Sequence, residues 1–372
     1  MVRVLISGSL SPARRKVAVL RVGFVPLCDC APLVVAQEQG FFSRYGLNVE
    51  LVREVGWATV RDKIVHGQLD AAHALAAMPF AATLGIGSAA TPCVTGLVLN
   101  LQGNAITLAQ SFWNAGVRDA RTFGAEVRRR QNGEPLSFGI VSPVSSHRHL
   151  LELWLRSAGL ESGTDYRLAV VPPPQMPAHL KAGHLAGFCV GEPWNSVAIE
   201  AGLGWCPATS ADLAPEHPEK VLLVRERFAA EYPEDHRRLI AALRDACTFC
   251  ADPDTHDDLA GLLADRRYVN APAALIRRSL SGSFFPAKGQ VASPAPLTLF
   301  NGGDTNVPTV ARGAWVLRHL IPAADRLPAA AFNSLVRRVF RPALFASAAQ
   351  LNPYSLELND NQSKNETECV PA

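Results

Sequence analysis

The chain has 372 residues, 48% hydrophobic and 19% charged, which is enough apolar side chain for a large core and length for about two domains. Net charge is +3, and the longest like-sign runs, Arg14-Arg15-Lys16 and Arg128-Arg129-Arg130, are too short to point to direct nucleic-acid binding. No apolar stretch approaches the roughly 18 uninterrupted residues of a membrane span.

At the N-terminus, "ARRK" faintly resembles a twin-arginine signal. The apolar run after it is cut by Arg21 and coincides with the first predicted strand, so cleavage there would remove part of the fold. The expectation is a chain that stays in the cytoplasm; a true start upstream of Met1 would instead allow a periplasmic, membrane-associated protein. Eight cysteines, several in apolar runs such as "PCVTGLVL" and "GFCVG", read as buried free thiols of a reducing compartment.

Strand-like and helix-like segments then alternate up to about residue 225. The strand-like runs are "VLRVGFV", "NVELVR", "DAAHAL", "CVTGLVLN", "LSFGIV", "YRLAVV", "GFCVG" and "KVLLV". Between them, apolar residues recur three or four apart, as in Trp57, Val60, Ile64 and in Leu150, Leu151, Trp154, Leu155. This alternation predicts an α/β fold with mostly parallel, doubly wound sheets. From Arg225 onward the pattern is helical, with a Pro/Gly-rich loop from Phe284 to Pro308. The last segment, 351–372, lacks a core pattern and reads as a disordered tail.

The enzyme motifs are missing: no Walker A, G-x-S-x-G, H-E-x-x-H or G-x-G-x-x-G occurs. Cys247-Thr-Phe-Cys250 lies in a helical apolar stripe without a second pair at zinc spacing, and reads as core. Cys28-Asp29-Cys30 follows a strand, where loops often meet ligand, so Cys28 and Asp29 are candidate ligand-adjacent residues. His147-Arg148-His149 opens a helix, a position suited to an anion. In "VVPPPQMPAHLKAGHLAGFCVGEPWN", the prolines predict an extended crossing segment, and "GFCVGEPWN" a buried strand and a tight turn that carries Glu192.

Taken together, "GFVPLCDCAPLVVAQEQGFF", "GWATVRDKIVHGQLDAAH", "LNLQGNAIT", "VVPPPQM", "FCVGEPWN" and "HPEKVLLV" resemble the nitrate/bicarbonate-binding NrtA/CmpA group of periplasmic-type binding proteins. The pieces run in family order from about residue 19 to 350. The resemblance implies a type II periplasmic-binding-protein-like fold: two doubly wound α/β lobes around a ligand cleft, with additional C-terminal helices. Lobe one would span 19–105 and 221–350, lobe two 106–220, after an extension of 1–18.

By motif, the resemblance implies ligand contacts from Trp57, Asn104, His147 or the nearby His149, and Lys220. Nitrate binders of the group more often carry Gln where Asn104 stands. Nitrate accepts hydrogen bonds and donates none, so its site should offer donors only. Lys220, where bicarbonate binders resemble one another in placing an acid, then favours nitrate or nitrite.

A second branch of the group, the NasS-type nitrate sensors, lacks an export signal and is thought to hold an ANTAR-type RNA-binding antiterminator. The resemblance therefore implies a non-catalytic sensor without cofactor or metal. The alternatives are the substrate-binding component of an ABC-type nitrate transporter, docking on its membrane subunits, or a binder of bicarbonate or a sulfonate.

Overall fold

The computed structural model describes residues 18–130, 134–281, 284–290, 296–322 and 324–352. The expected extension up to residue 17 and the tail from residue 353 lie outside the described residues.

In chain order the strands are β1 (Leu20–Phe24), β2 (Val49–Arg53), β3 (Ala71–Leu75), β4 (Cys93–Val94), β5 (Val98–Gln102), β6 (Asn104–Ala109), β7 (Leu136–Ile140), β8 (Tyr166–Val170), β9 (Gly187–Gly191), β10 (Gly204–Thr209), β11 (Pro218–Arg225) and β12 (Thr298–Leu299). They form two sheets, ordered β12-β5-β11-β3-β1-β2, with β4 also on β11, and β10-β6-β9-β7-β8. Strands β3 and β9 are buried along their whole length. That burial is why they read as continuous apolar runs rather than as alternating patterns.

The sheets are mixed, not mostly parallel. β1 runs parallel to β2 and β3, and β7 to β8 and β9. β11, however, is antiparallel to β3, β4 and β5, and β6 is antiparallel to β9 and β10. Each of these two strands enters its sheet from the other lobe rather than through a crossover helix on the same sheet. It therefore arrives from the opposite end.

The first crossing is a tight left-handed step, Gln102 at φ 59° and Gly103 at φ 106°. A side chain at Gly103 would be strained by that φ, and its Cβ would stand 2.9 Å from Thr298 Oγ1. The second crossing precedes β11, and Glu216 there has φ 57°. The two are tied together: Gln102 N donates to His217 O at 3.0 Å, and Glu216 N to Gln102 Oε1 at 3.2 Å. Asn104 and Ala105 thus stand on the second sheet and Pro218 to Lys220 on the first, where the sequence alone assigns them to the opposite lobes.

Around the first sheet, the helix Pro233–Ala251 buries Leu239, Ile240, Leu243, Ala246, Cys247 and Cys250, so the C-x-x-C is core packing. The helices Val310–Leu320 and Ala329–Val339 cover another part of this lobe, and Phe340 stacks on Phe80 with centroids 5.4 Å apart. The second lobe packs around Phe123, Phe138, Trp154 and Leu155. Its helix Ser146–Ser157 starts at Ser145, whose Oγ accepts from Arg148 N at 3.2 Å, an N-cap that satisfies one of the open amides.

Two segments differ from expectation. "VVPPPQM" does not cross between lobes; it links β8 to the helix Met176–Lys181 inside the second lobe, through a 3-10 turn at Pro173–Gln175. Proline suits such first-turn positions because their N–H groups need no intrahelical partner. Conversely, part of the C-terminal half reaches across to the second lobe. Phe284 packs with Ala105, Ile199 and Cys206, and Cys206 N donates to Pro286 O at 2.6 Å.

Candidate ligand-binding site between the lobes

A cleft of about 230 Å³ opens between the lobes, lined by Val55, Trp57 and Arg61 on one side and Val141, Val144 and Pro173 on the other. Trp57 opens the helix Trp57–Val65 after Gly56, and its side chain is buried, with Nε1 lacking a partner. Its ring stands 5.4 Å from the Lys220 Nζ and 5.4 Å from the His73 ring. The indole therefore joins the cleft to a sealed polar cluster.

Lys220 is the centre of that cluster and is 0% exposed. Its Nζ lies 2.7 Å from Asp29 Oδ2 and 2.6 Å from Glu219 Oε1. Asp29 Oδ1 also meets His73 Nε2 at 2.9 Å. Glu219 Oε2 accepts from Ser146 Oγ and lies 3.0 Å from His217 Nε2, and His147 Nε2 is 3.8 Å from Glu219 Oε1. Asn104 joins through Nδ2, which donates to Ser146 Oγ at 3.3 Å. A methyl group at Gly191 would sit 3.4 Å from Asp29 Oδ2 and 3.5 Å from Asn104 Oδ1, so the carboxylate and the amide face one small space.

Burial and charge oppose each other at every member. Burial works to lower the Lys220 pKa, but Asp29 and then Glu219 hold it above the ordinary lysine value. Burial works to raise Asp29, yet Lys220 and His73 bring it below the usual carboxylate value. For Glu219, Lys220 and His147 outweigh burial and hold it well below that range. At His147 burial prevails: it pushes the pKa down to about 4 against the opposing pull of Glu219. Both of its ring nitrogens lack a hydrogen-bond partner.

The four residues named from the sequence, Trp57, Asn104, His147 and Lys220, thus meet in one network that spans both lobes. Of the ligand-adjacent candidates, Asp29 belongs to it. Cys28 and Glu192 form a separate interlobe contact: Cys28 N donates to Glu192 O at 2.7 Å, and the Glu192 carboxylate accepts from Ser196 and Ser279. His149 lies elsewhere, edge-on to Trp315 at 5.7 Å and 5.1 Å from His319.

Two expectations change. The lining is not donors only, since two carboxylates share the Lys220 ammonium. Asn104 gives one of its two amide hydrogens to Ser146, and Oδ1 is left without a partner. The sequence reading missed His73, Ser146, His217 and Glu219. A histidine inside the apolar strand "DAAHAL", and two further polar residues inside "HPEKV", were the available signals.

Residues 13–264 match the NMT1-like family. The nitrate import ATP-binding protein NrtC of Synechocystis sp. is 38% identical over 336 residues, 89% of this chain and 50% of that protein. The nitrate/nitrite binding protein NrtA of Synechococcus elongatus is 30% identical over 356 residues, 92% of this chain and 80% of that protein. The chain thus spans about half the length of the ATP-binding relative and most of NrtA. The crystal structure of the periplasmic nitrate-binding protein NrtA from Synechocystis PCC 6803 superposes with a TM-score of 0.84 at 29% identity, covering 90% of this chain and 89% of that one. With two mixed α/β sheets hinged at paired crossings, the chain has the type II periplasmic-binding-protein fold and belongs to the NMT1-like family, within its NrtA/CmpA group.

Proposed function

We propose that this chain is a non-catalytic binding protein for nitrate or nitrite, and that it acts as an intracellular sensor whose closure on the anion controls an antiterminator partner of the ANTAR type. One observation carries the ligand assignment: the buried polar groups left open beside Lys220 include the Trp57 indole N–H on one lobe and the His147 imidazole on the other. Nitrate needs donors and supplies none. Bicarbonate must also donate; both oxygens of Glu219 are already engaged, by Lys220 and by Ser146 and His217, while Asp29 Oδ2, ion-paired with Lys220, and Asn104 Oδ1 have no hydrogen-bond donor, so bicarbonate is the control that tests the choice. The named ligands of NrtA support the same choice.

Support for a sensor comes from two sides. The seven described cysteines are all buried free thiols, the usage of a reducing compartment. A segment 38% identical to this chain occurs within NrtC, a protein named for binding ATP. Regulation then follows from linkage: an anion that prefers the closed lobes releases a partner that prefers the open ones.

Isothermal titration with nitrate, nitrite and bicarbonate tests the ligand. Saturable heat with nitrate or nitrite and none with bicarbonate is expected; the reverse order refutes the assignment. Retention of an antiterminator in the absence of nitrate, and its release on addition, tests the sensor. A second reading, the substrate-binding component of an import system, is favoured by coverage of 80% of NrtA. It predicts capture of transporter membrane subunits in place of the antiterminator.

A further inference from the structure

We infer that the anion does not bind alone: its entry draws one proton onto His147, which then bridges the ligand and Glu219. The inference rests on the anion reading above and deepens it.

The sealed cluster holds no spare positive charge before any ligand enters. Asp29 and Glu219 supply two negative charges and Lys220 one positive. His217 faces an acceptor at each ring nitrogen, Ala214 O at 2.8 Å from Nδ1 and Glu219 Oε2 at 3.0 Å from Nε2. Both of its nitrogens are thus engaged within the cluster, and neither is open to a ligand. An arriving anion adds a negative charge for which this closed volume has no free counter-ion, an unpaired buried charge of the kind that shifts protonation rather than persisting.

His147 is placed to take the proton. It is 0% exposed, both of its nitrogens lack partners, and Nε2 stands 3.8 Å from Glu219 Oε1. A neutral imidazole has one N–H and one lone pair. Set between a carboxylate and an anion that accepts only, it would have to turn the lone pair toward one of them. The imidazolium turns an N–H toward each.

The groups facing His147 come from every element around it: Glu219 and Lys220 on β11, Asp29 after β1, and His217 before β11. His73 on β3 is engaged with Asp29. The Cys189 thiol on β9, which feels Glu219, is kept neutral by burial. The two residues that follow it turn away: Arg148 pairs with Glu152 at 3.0 Å, and His149 lies edge-on to Trp315. At the start of the helix Ser146–Ser157 the dipole opposes a cation, which keeps the ring neutral until an anion compensates.

The test is calorimetry of the full chain with sodium nitrate, an anion with no proton to release at these pH values. At pH 5.5, titrations in buffers of different ionisation enthalpy should report more than half a proton taken up per nitrate. Affinity should be about tenfold or more tighter at pH 5 than at pH 8, as expected where an adjacent anion raises a pKa by one to three units. In His147→Gln the buffer dependence and the pH slope should both vanish along with part of the affinity. The wild-type buffer series decides the matter even if that variant fails to fold. Nitrate binding with buffer-independent heat and flat affinity overturns the inference and leaves the ligand assignment standing. No heat with nitrate or nitrite at any pH overturns both.

Discussion

Replacing Lys220 by Met removes the one ammonium shared by Asp29 and Glu219. In the native protein that Nζ is 2.7 Å from one carboxylate and 2.6 Å from the other, with no exposure to water. Taking away one partner of a buried ion pair costs about 3–5 kcal/mol, because the partner charge stays buried and uncompensated. Here a single deletion strands two carboxylates, so the upper part of that range applies. The variant has one escape, which is to bind a proton at Asp29 or Glu219.

That escape gives the loss a definite pH dependence. In the variant the folded carboxylate pKa is raised above its unfolded value, so the native state binds more protons than the unfolded chain. Stability then falls as pH rises between the two values, by up to about 1.4 kcal/mol per unit for one group. Urea denaturation of wild type and variant at pH 5 and pH 8, followed by tryptophan fluorescence, measures the difference. The expected gap is about 3–5 kcal/mol at pH 8, clearly narrowed at pH 5. A gap below about 1 kcal/mol at pH 8, or one that does not shrink on acidification, refutes the picture of Lys220 as the sealed counter-ion of both acids.

The free indole N–H of Trp57 predicts that Trp57→Phe weakens nitrate binding about tenfold, roughly 1.4 kcal/mol, by calorimetry; unchanged affinity would remove Trp57 from the site. His147 is held neutral to about pH 4, below its unfolded value, so the unfolded chain binds the proton first and ligand-free stability falls as pH drops from about 6.5 toward 4. The contribution is about 3 kcal/mol, and denaturant midpoints of wild type and His147→Gln over that range should converge in slope only if it is absent. Gly103→Ala forces a side chain to φ 106° against Thr298 Oγ1 and should cost about 1–3 kcal/mol, read from denaturation; a neutral result would mean that the crossing relaxes without strain.

Much of this molecule was legible as pattern. The eight strand-like runs, the helical stripe carrying Cys247 and Cys250, and the four residues taken from family motifs all have local signatures, because side-chain periodicity follows backbone geometry. β6 and β10 have no strand-like run of their own in the sequence, and β12 falls inside the expected Pro/Gly-rich loop. The mixed sheet directions escaped as well, since nothing in a strand's own residues records from which lobe the chain enters.

The balance of the site belongs to the tertiary structure for a related reason. On a regular strand Glu219 and Lys220 would point to opposite faces, so their adjacency in sequence says nothing of a shared pocket. The pairing of β11 with β5 shifts register on both sides of Lys220, and an irregularity of this kind re-aims neighbouring side chains. Glu219 and Lys220 consequently meet, and Asp29, His73 and His147 reach them from three other parts of the chain. Residue types alone determined that a buried cation would need anions around it; only the folded arrangement decided that the protein supplies two of its own.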